Sequence, residues 1–410
     1  MDSIQVGLFF LISYLLSRVF VTLKIPELVI YYLFEKKHIS IQKLTLILLA
    51  GTTMISTIIA NIITVLTLMP LVVLLQKELK TTEELKRKFN TLFLLAVLWG
   101  ANIGGIGMIT GTTTNGILLG LFEIYSVPIA RDFTFLSWAA WGLPLAAILC
   151  GLGWLILMLV FKPGKMMHKA DFSSEIRAGG ISRHFQIVGF RLALCFILAA
   201  SGLSYLMGIL KSHQIEVLIV TFITSAVFVF LILGYKWKTE DGVRKPLIRL
   251  KGALQDVPKK GLLWVILAFI ISYILWLAGF HKLINDWFTL WLEREHSILL
   301  LYLIFALATT FVSELISNTA VQFTMFLVLF PMTRYFPDLS WQGMLIITLC
   351  SSCAFMTPLA TPSNGLGFGT SGKVSLRYMM LAGFIMNLVC SGLIVLWVHF
   401  VVPQTLNWFF

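Results

Sequence analysis

Two stretches of 34 residues, Phe89–Phe122 and Leu339–Gly372, contain no Asp, Glu, Lys or Arg. A helix rises about 1.5 Å per residue and needs about 20 residues to cross roughly 30 Å of hydrocarbon. Each stretch is therefore too long for one crossing and too short for two. The middle of the first reads Gly100-Ala-Asn-Ile-Gly-Gly-Ile-Gly-Met-Ile-Thr-Gly-Thr-Thr-Thr-Asn115, and that of the second Thr357-Pro-Leu-Ala-Thr-Pro-Ser-Asn-Gly365. Gly, Thr and Asn are weak helix formers and Pro blocks a helix interior, so both stretches read as helices broken at membrane depth. Unwound backbone is tolerated there only when buried in protein or lining a wet cavity.

The rest of the 410-residue chain agrees with a lipid solvent. It is 58% hydrophobic and only 12% charged, against about 25% charged in soluble domains, which excludes a soluble enzyme and a disordered scaffold. Leu192–Leu210, Val217–Tyr235 and Gly261–His281 read as single crossings, and Ser3–Ile25 as a further one interrupted by Arg18 and Lys24. Assigning alternate loops inward places 24 of the 31 Lys and Arg inside and five outside, with Arg18 and Arg191 in spans. That bias obeys the positive-inside rule and accounts for the net charge of +12 without nucleic acid. The reading is a multi-pass protein of the cell's plasma (inner) membrane with both termini external.

Leu44–Gln76 has basic residues at both ends, Lys43 before it and Lys77 after it, and 33 residues cannot cross twice. It reads as a re-entrant hairpin with its tip near Ala60-Asn61, and Ile298–Tyr335 reads the same way with its tip at Ser317-Asn318-Thr319. The segments pair across the chain. Ser56-Thr-Ile-Ile-Ala-Asn61 matches Ser313-Glu-Leu-Ile-Ser-Asn318 at an offset of 257, and Gly111-Thr-Thr-Thr-Asn115 matches Ala360-Thr-Pro-Ser-Asn364 at 249. Five crossings, an odd number, separate equivalent elements, so the second half is expected upside down. Inverted repeats with helices broken at the midplane are an architecture of secondary transporters.

The expected fold is an all-α polytopic membrane protein in three parts. Residues 1–161 form the first repeat: scaffold helix 3–25, surface helix 26–43, hairpin 44–76, broken helix 89–127 and helix 133–161. Residues 162–257 carry cytoplasmic loops and two scaffold helices, with Val243–Lys260 read as another surface helix. Residues 258–410 form the second repeat: helix 261–281, hairpin 298–335, broken helix 339–372 and helix 376–402.

Gly100-Ala-Asn-Ile-Gly-Gly-Ile-Gly107, Ser313-Glu-Leu-Ile-Ser-Asn-Thr-Ala320 and Ser352-Cys-Ala-Phe-Met-Thr-Pro-Leu-Ala-Thr-Pro-Ser-Asn364 resemble the divalent anion:sodium symporter family. That family lies within the ion transporter superfamily and includes citrate, succinate and sulfate carriers. The resemblance covers about residues 1–161 and 258–410. It implies a scaffold domain and a transport domain moving as an elevator, a homodimer through scaffold helices, membrane lipid around it, and a small anionic substrate. It also implies a Ser-Asn-Thr at each tip that binds carboxylates, with one sodium ion, the coupling ion, at each hairpin and adjacent loop. No other cofactor and no catalysis are implied. The substrate residues carried over are Asn61, Ile62, Thr112, Ser317, Asn318, Thr319, Thr361 and Pro362. The chain departs from the pattern at the first tip, where Ala60-Asn61-Ile62 lacks both hydroxyls, and at Thr113-Thr114, where the family has two prolines. It also begins at what resembles the family's fourth helix.

The residues themselves support such chemistry. An anion in a dehydrated site needs donors, and hydroxyls, amides and helix N-termini provide them. Sodium needs hard oxygens: Ser56, Asn61 and the Gly111 carbonyl would make one site, and Ser313, Asn318 and the Ala360 carbonyl the other. The bland alternative is that Asn61 and Asn318 only cap their helices. Glu314, acidic at membrane depth, is a coupling candidate for a proton-driven or exchange mechanism, or else a residue near the hairpin mouth reaching water or a cation. Gly367-Phe-Gly-Thr-Ser-Gly-Lys373 lacks the Ser or Thr of a phosphate loop and reads as a turn. Cys350 and Cys353, one turn apart, read as helix packing.

Overall fold

The computed structural model describes residues 3–25, 39–77, 81–125, 127–164, 167–168, 183–210, 212–238, 242, 244–253, 297–329, 337–371 and 373–409, with isolated positions between 270 and 290. The first half contains α1 (Ser3–Thr22), α2 (Ile41–Ser56), α3 (Asn61–Lys77), α4 (Glu83–Gly107), α5 (Thr113–Ile124) and α6 (Phe135–Phe161). Then come α7 (Arg183–Ile209) and α8 (Gln214–Val229). The last part contains α9 (Ile298–Ser313), α10 (Asn318–Leu329), α11 (Pro337–Ser351), α12 (Pro362–Thr370) and α13 (Leu376–Leu396), which runs on through a π-turn to Asn407.

Six helices among the described residues are long and apolar enough to cross a membrane: Ile4–Thr22, Glu83–Gly107, Phe135–Phe161, His184–Ile209, Gln214–Gly234 and Leu376–Asn407. With the family assignment below, this makes the chain an all-α integral membrane protein. By contrast, α2, α3, α9 and α10 hold 16, 17, 16 and 12 residues. At about 1.5 Å per residue none exceeds roughly 26 Å, short of a full crossing.

Segments read as surface helices differ. Ile39–Ser40 is a strand paired with Met167–His168, 41–43 open α2, and 26–38 lie outside the described residues. In the basic segment after α8, Trp237–Lys238 pairs with Arg244–Lys245, and only Leu250–Ala253 is helical there among the described residues. At the residues described, a neighbouring strand satisfies the backbone of Ile39–Ser40 and Arg244–Lys245. Most of the expected crossing 261–281 lies outside the described residues.

The core is built around α4, which is buried along its whole length from Phe89 to Gly107. It packs on α2, α3 and α6. Its glycines explain how closely. A Cβ on Gly100 would stand 2.6 Å from Leu49 O and 2.8 Å from Thr52 Cβ, and one on Gly104 would stand 2.7 Å from Ser56 Cβ. Small residues let two helices touch backbone to backbone where no water competes. The helix therefore continues through Gly100–Gly107, which the sequence suggested was unwound, and the break is confined to residues 108–112.

The two halves interlock. The short helix α12 of the second half packs on α3 and α4 of the first, and α5 of the first half packs on α10 and α11 of the second. α1, α7 and α8 pack on one another, with α7 also against α6 and α1 against α5, and they leave Leu194, Leu198, Ile215, Phe222 and Phe230 exposed on α7, α8 and the π-turn that follows α8. Such apolar exposure suits a lipid-facing surface.

Candidate functional site: two tips and two unwound loops

Each short helix pair is joined by a four-residue connection, 57–60 between α2 and α3 and 314–317 between α9 and α10, with the same succession of two turn residues, a bend and one irregular residue. At the first tip Ser56 Oγ lies 2.8 Å from Ala101 O and 3.0 Å from Asn61 Oδ1, its one hydroxyl proton shared between the two acceptors. Asn61 in turn abuts Gly105, where a Cβ would come within 2.6 Å of its Oδ1. A Cβ on Gly111 would stand 2.6 Å from Gly105 O. The structure thus stacks Ser56, Asn61 and, through Gly105, Gly111. Asn61 does not cap its helix, because its side chain is engaged with Ser56 and Asn102. Ile62 stays half exposed beside it.

At the second tip the cap falls to Ser317, whose Oγ accepts from Ala320 N at 3.4 Å. Asn318 Oδ1 is buried without a hydrogen-bond partner, and Thr319 makes no side-chain hydrogen bond among the described residues. Ser313 Oγ donates to Thr310 O at 2.7 Å. No hydrogen bond among the described residues joins Ser313, Asn318 and Ala360, so this group is less assembled than its counterpart.

The unwound loops share the bonds of one asparagine. Asn115 Nδ2 donates to Gly105 O and Met108 O, both at 3.0 Å, and Asn364 Nδ2 donates to Ala354 O and Thr357 O, both at 3.0 Å. All three pairs of positions are offset by 249. Thr112 and Thr361 are the N-caps of α5 and α12 with nearly the same backbone, φ −142° and −137°, and each bonds the hydroxyl two residues on. Pro362 then occupies the first helical position, where its missing N–H is no loss. Both Asn115 and Asn364 are buried with Oδ1 unpartnered. A buried amide oxygen left without a donor is an oxygen suited to a hard cation, so the residues present fit sodium as cargo.

The two loops differ in length for a visible reason. The first is unwound over 108–112, the second over 352–361. The additional unwound residues correspond to Ile103–Gly107, which remain helical in the first half. Glu314 holds the difference. Its Oε1 accepts from Phe355 N, Met356 N and Asn387 Nδ2, each at 2.8 Å, and its Oε2 from Thr357 N at 2.7 Å. Thr357 Oγ1 donates back to Glu314 O at 2.7 Å. A carboxylate thus replaces the helix carbonyls that these N–H groups would otherwise need, forming a nest around one anion. The residue in its place at the first tip is Thr57. Glu314 is 2% exposed, so it neither reaches water at a hairpin mouth nor pairs with a cationic side chain among the described residues.

Side chains that the sequence reading passed over also belong to this centre. Asn102 Nδ2 donates to Ala354 O at 2.8 Å, Trp99 Nε1 to Phe355 O at 3.1 Å, and Thr114 Oγ1 lies 3.2 Å from Ser352 Oγ. Asn115 and Asn364 carried a signal in the 249-residue repeat; Asn102 carried one only as a member of the Gly100–Gly107 motif, and Asn387 carried none. Cys350, one residue before the end of α11, and Cys353, in the unwound loop itself, are buried free thiols.

The model of the citrate transporter family (CitMHS) matches residues 3–239, more than half of the chain. The chain is 28% identical over 307 residues to an uncharacterized transporter of Haemophilus influenzae, covering 72% of this chain and 60% of that protein's length. It is 25% identical over 366 residues to the sodium-dependent dicarboxylate transporter SdcS of Staphylococcus saprophyticus, covering 87% and 69% of the two chains. It is 24% identical over 384 residues to the Staphylococcus aureus protein of that name, covering 90% and 71%. The matched region takes in the first tip, the first unwound loop and α4, the elements on which the second half is braced, and with that match the chain belongs to the citrate transporter family.

Proposed function

We propose that the protein is a sodium-coupled secondary transporter of a small anion, a carboxylate or a sulfate-like oxyanion, across the plasma membrane. The observation that carries this reading is the duplicated loop: Asn115 and Asn364 hold equivalent carbonyls and each leaves a buried amide oxygen unpartnered. Two equivalent oxygen-rich loops suit two coupling ions, and relatives named as sodium-dependent dicarboxylate transporters support the pairing of sodium with a carboxylate.

In this reading α2–α3 and α9–α10 are re-entrant hairpins in two inverted repeats. Sodium sits by Ser56, Asn61 and Gly111 in one repeat and by Ser313, Asn318 and Ala360 in the other. The anion sits between the tips, taken by Ser317, Asn318, Thr319 and Asn61, with Ile62, Thr112, Thr361 and Pro362 around it. The interlocked loops travel as one body against a scaffold of α1, α7 and α8, which is also the surface for a second copy. Glu314 favours sodium over a titrating carboxyl as the coupling element, because the side-chain bonds to its two oxygens all come from N–H donors and hold the anionic form in place.

The test is thermal unfolding of the purified protein in sodium chloride and in potassium chloride at equal ionic strength, each with a panel of mono- and dicarboxylates and sulfate. Sodium alone should raise the melting temperature, and a substrate anion should raise it further only in sodium. Equal shifts in both salts would sink the sodium reading.

A further inference from the structure

One line of hydrogen bonds runs from the first candidate cation site to the unwound loop beside the second. Ser56 Oγ lies 3.0 Å from Asn61 Oδ1, and Asn61 Nδ2 donates to Asn102 Oδ1 at 3.5 Å. Asn102 Nδ2 donates to Ala354 O at 2.8 Å, and the same carbonyl accepts from Asn364 Nδ2 at 3.0 Å. Asn364 also donates to Thr357 O, and Thr357 N donates to Glu314 in the second hairpin's connection. Asn102 and Asn364 are each 1% exposed, so water does not compete for these bonds. Among the described residues this bridge has no symmetric counterpart. At the 249-residue offset Ser351 stands opposite Asn102, and its Oγ bonds Thr348 O within its own helix.

We propose that Asn102 is the positioning residue that couples the two sites, so that a cation at the first raises the affinity of the second. The inference rests on the two-sodium reading above. A cation on Asn61 Oδ1 draws electron density from that amide and makes its Nδ2 a stronger donor. The 3.5 Å link to Asn102 is longer than the usual 2.9–3.0 Å or so, and so has room to tighten. Asn102 held from that side keeps its own Nδ2 on Ala354 O, where it joins Asn364 in setting the carbonyls of the second loop. Linkage makes the effect reciprocal: a cation at the second site favours the first by the same factor.

Two coupled sites give a Hill coefficient approaching about 2, and uncoupled equal sites give about 1. The test is a sodium chloride titration of the purified full chain, followed by tryptophan fluorescence, with choline chloride replacing sodium at constant ionic strength. The variants are Asn102→Ala, Asn102→Ser, which is too short to bridge both neighbours, and Trp99→Phe. The last removes the neighbouring cross-half bond to Phe355 O without touching the relay. Wild type and Trp99→Phe should titrate steeply, while both Asn102 variants fall to first order with half-saturation raised roughly 2- to 12-fold, the square root of a coupling factor of about 5–150. A purely structural role for Asn102 predicts the opposite grouping, with all three variants less heat-stable and equally steep, and that result overturns the inference while leaving the two-sodium reading intact. If wild type shows no response to sodium beyond choline, the underlying reading fails and the coupling with it. Should Asn102→Ala not fold, Asn102→Ser decides.

Discussion

Gln322, one turn beyond Asn318 on α10, donates from Nε2 to Thr114 O at 2.9 Å, and the same nitrogen donates to Thr348 Oγ1 at 2.9 Å. A side chain of the second hairpin therefore holds the backbone at the start of α5, in the other half of the chain. Gln322 is fully buried and its Oε1 has no partner. Gln322→Met keeps the volume, loses the two bonds and removes the orphaned oxygen, effects that partly offset. The expected outcome is a net destabilisation of about 1 kcal/mol, within the roughly 1–3 kcal/mol range for stranding a buried acceptor. Thermal unfolding in detergent measures it, and unchanged or raised stability would show that the bond does not brace the halves.

Glu314→Gln tests the nest. The new amide keeps an oxygen for Phe355 N, Met356 N and Asn387 Nδ2, but its NH₂ then faces Thr357 N, donor against donor. Losing one charge-assisted bond costs about 1.5–3 kcal/mol, and the donor clash adds to it. Glu314→Ala, which strands three backbone N–H groups at once, should be worse than Glu314→Gln by melting temperature. A reversed order would mean that the carboxylate is held in place without stabilising the unwound segment.

Thr319 has a hydroxyl with no partner among the described residues, beside the N-terminus of α10. Thr319→Ala removes no internal bond, so its stability without ligand should stay within about 0.5 kcal/mol of wild type. Anion binding in sodium should weaken roughly 10- to 150-fold, the loss of one charge-assisted hydrogen bond. Titrating the best anion from the melting panel into both proteins separates the two effects.

The first tip offers the amide of Asn61 and the half-exposed, apolar Ile62, while the second offers Ser317, Asn318 and Thr319. The anion should lean on the second tip, and the site should accept a substrate with one charged end. Ala60→Ser combined with Ile62→Thr should then improve competition by succinate relative to monocarboxylates. Strong competition by succinate in wild type, with no gain in the double variant, would show that the first tip binds through backbone alone.

Much of this centre could be read in advance from local chemistry. The two tips and the second unwound segment were legible because Pro358, Pro362 and the repeated Ser-to-Asn spacing act within a few residues of themselves. The first break was read too broadly, since Gly100, Gly104 and Gly105 look like helix breakers in one dimension. In three dimensions they are points of contact with α2 and Asn61. Glu314 was legible as unusual but not as a cap on Phe355, Met356 and Thr357, because that role exists only once residues some 40 positions apart meet. Asn102 shows the limit most clearly: nothing near it in the chain indicates that its partner is Ala354.

That long reach sets a timetable for biosynthesis. Trp99 Nε1 and Asn102 Nδ2 find their acceptors 256 and 252 residues downstream, and α4 has α12 as part of its cover. A ribosome adding about 5–20 residues per second delivers Ala354 and Phe355 many seconds after α4 has left it. Through that interval the first half sits in the bilayer with two strong donors and an open flank on its most buried helix. A chain that stalls before residue 352 leaves them bare, which is the kind of exposed polar surface that membrane quality control can recognise and remove.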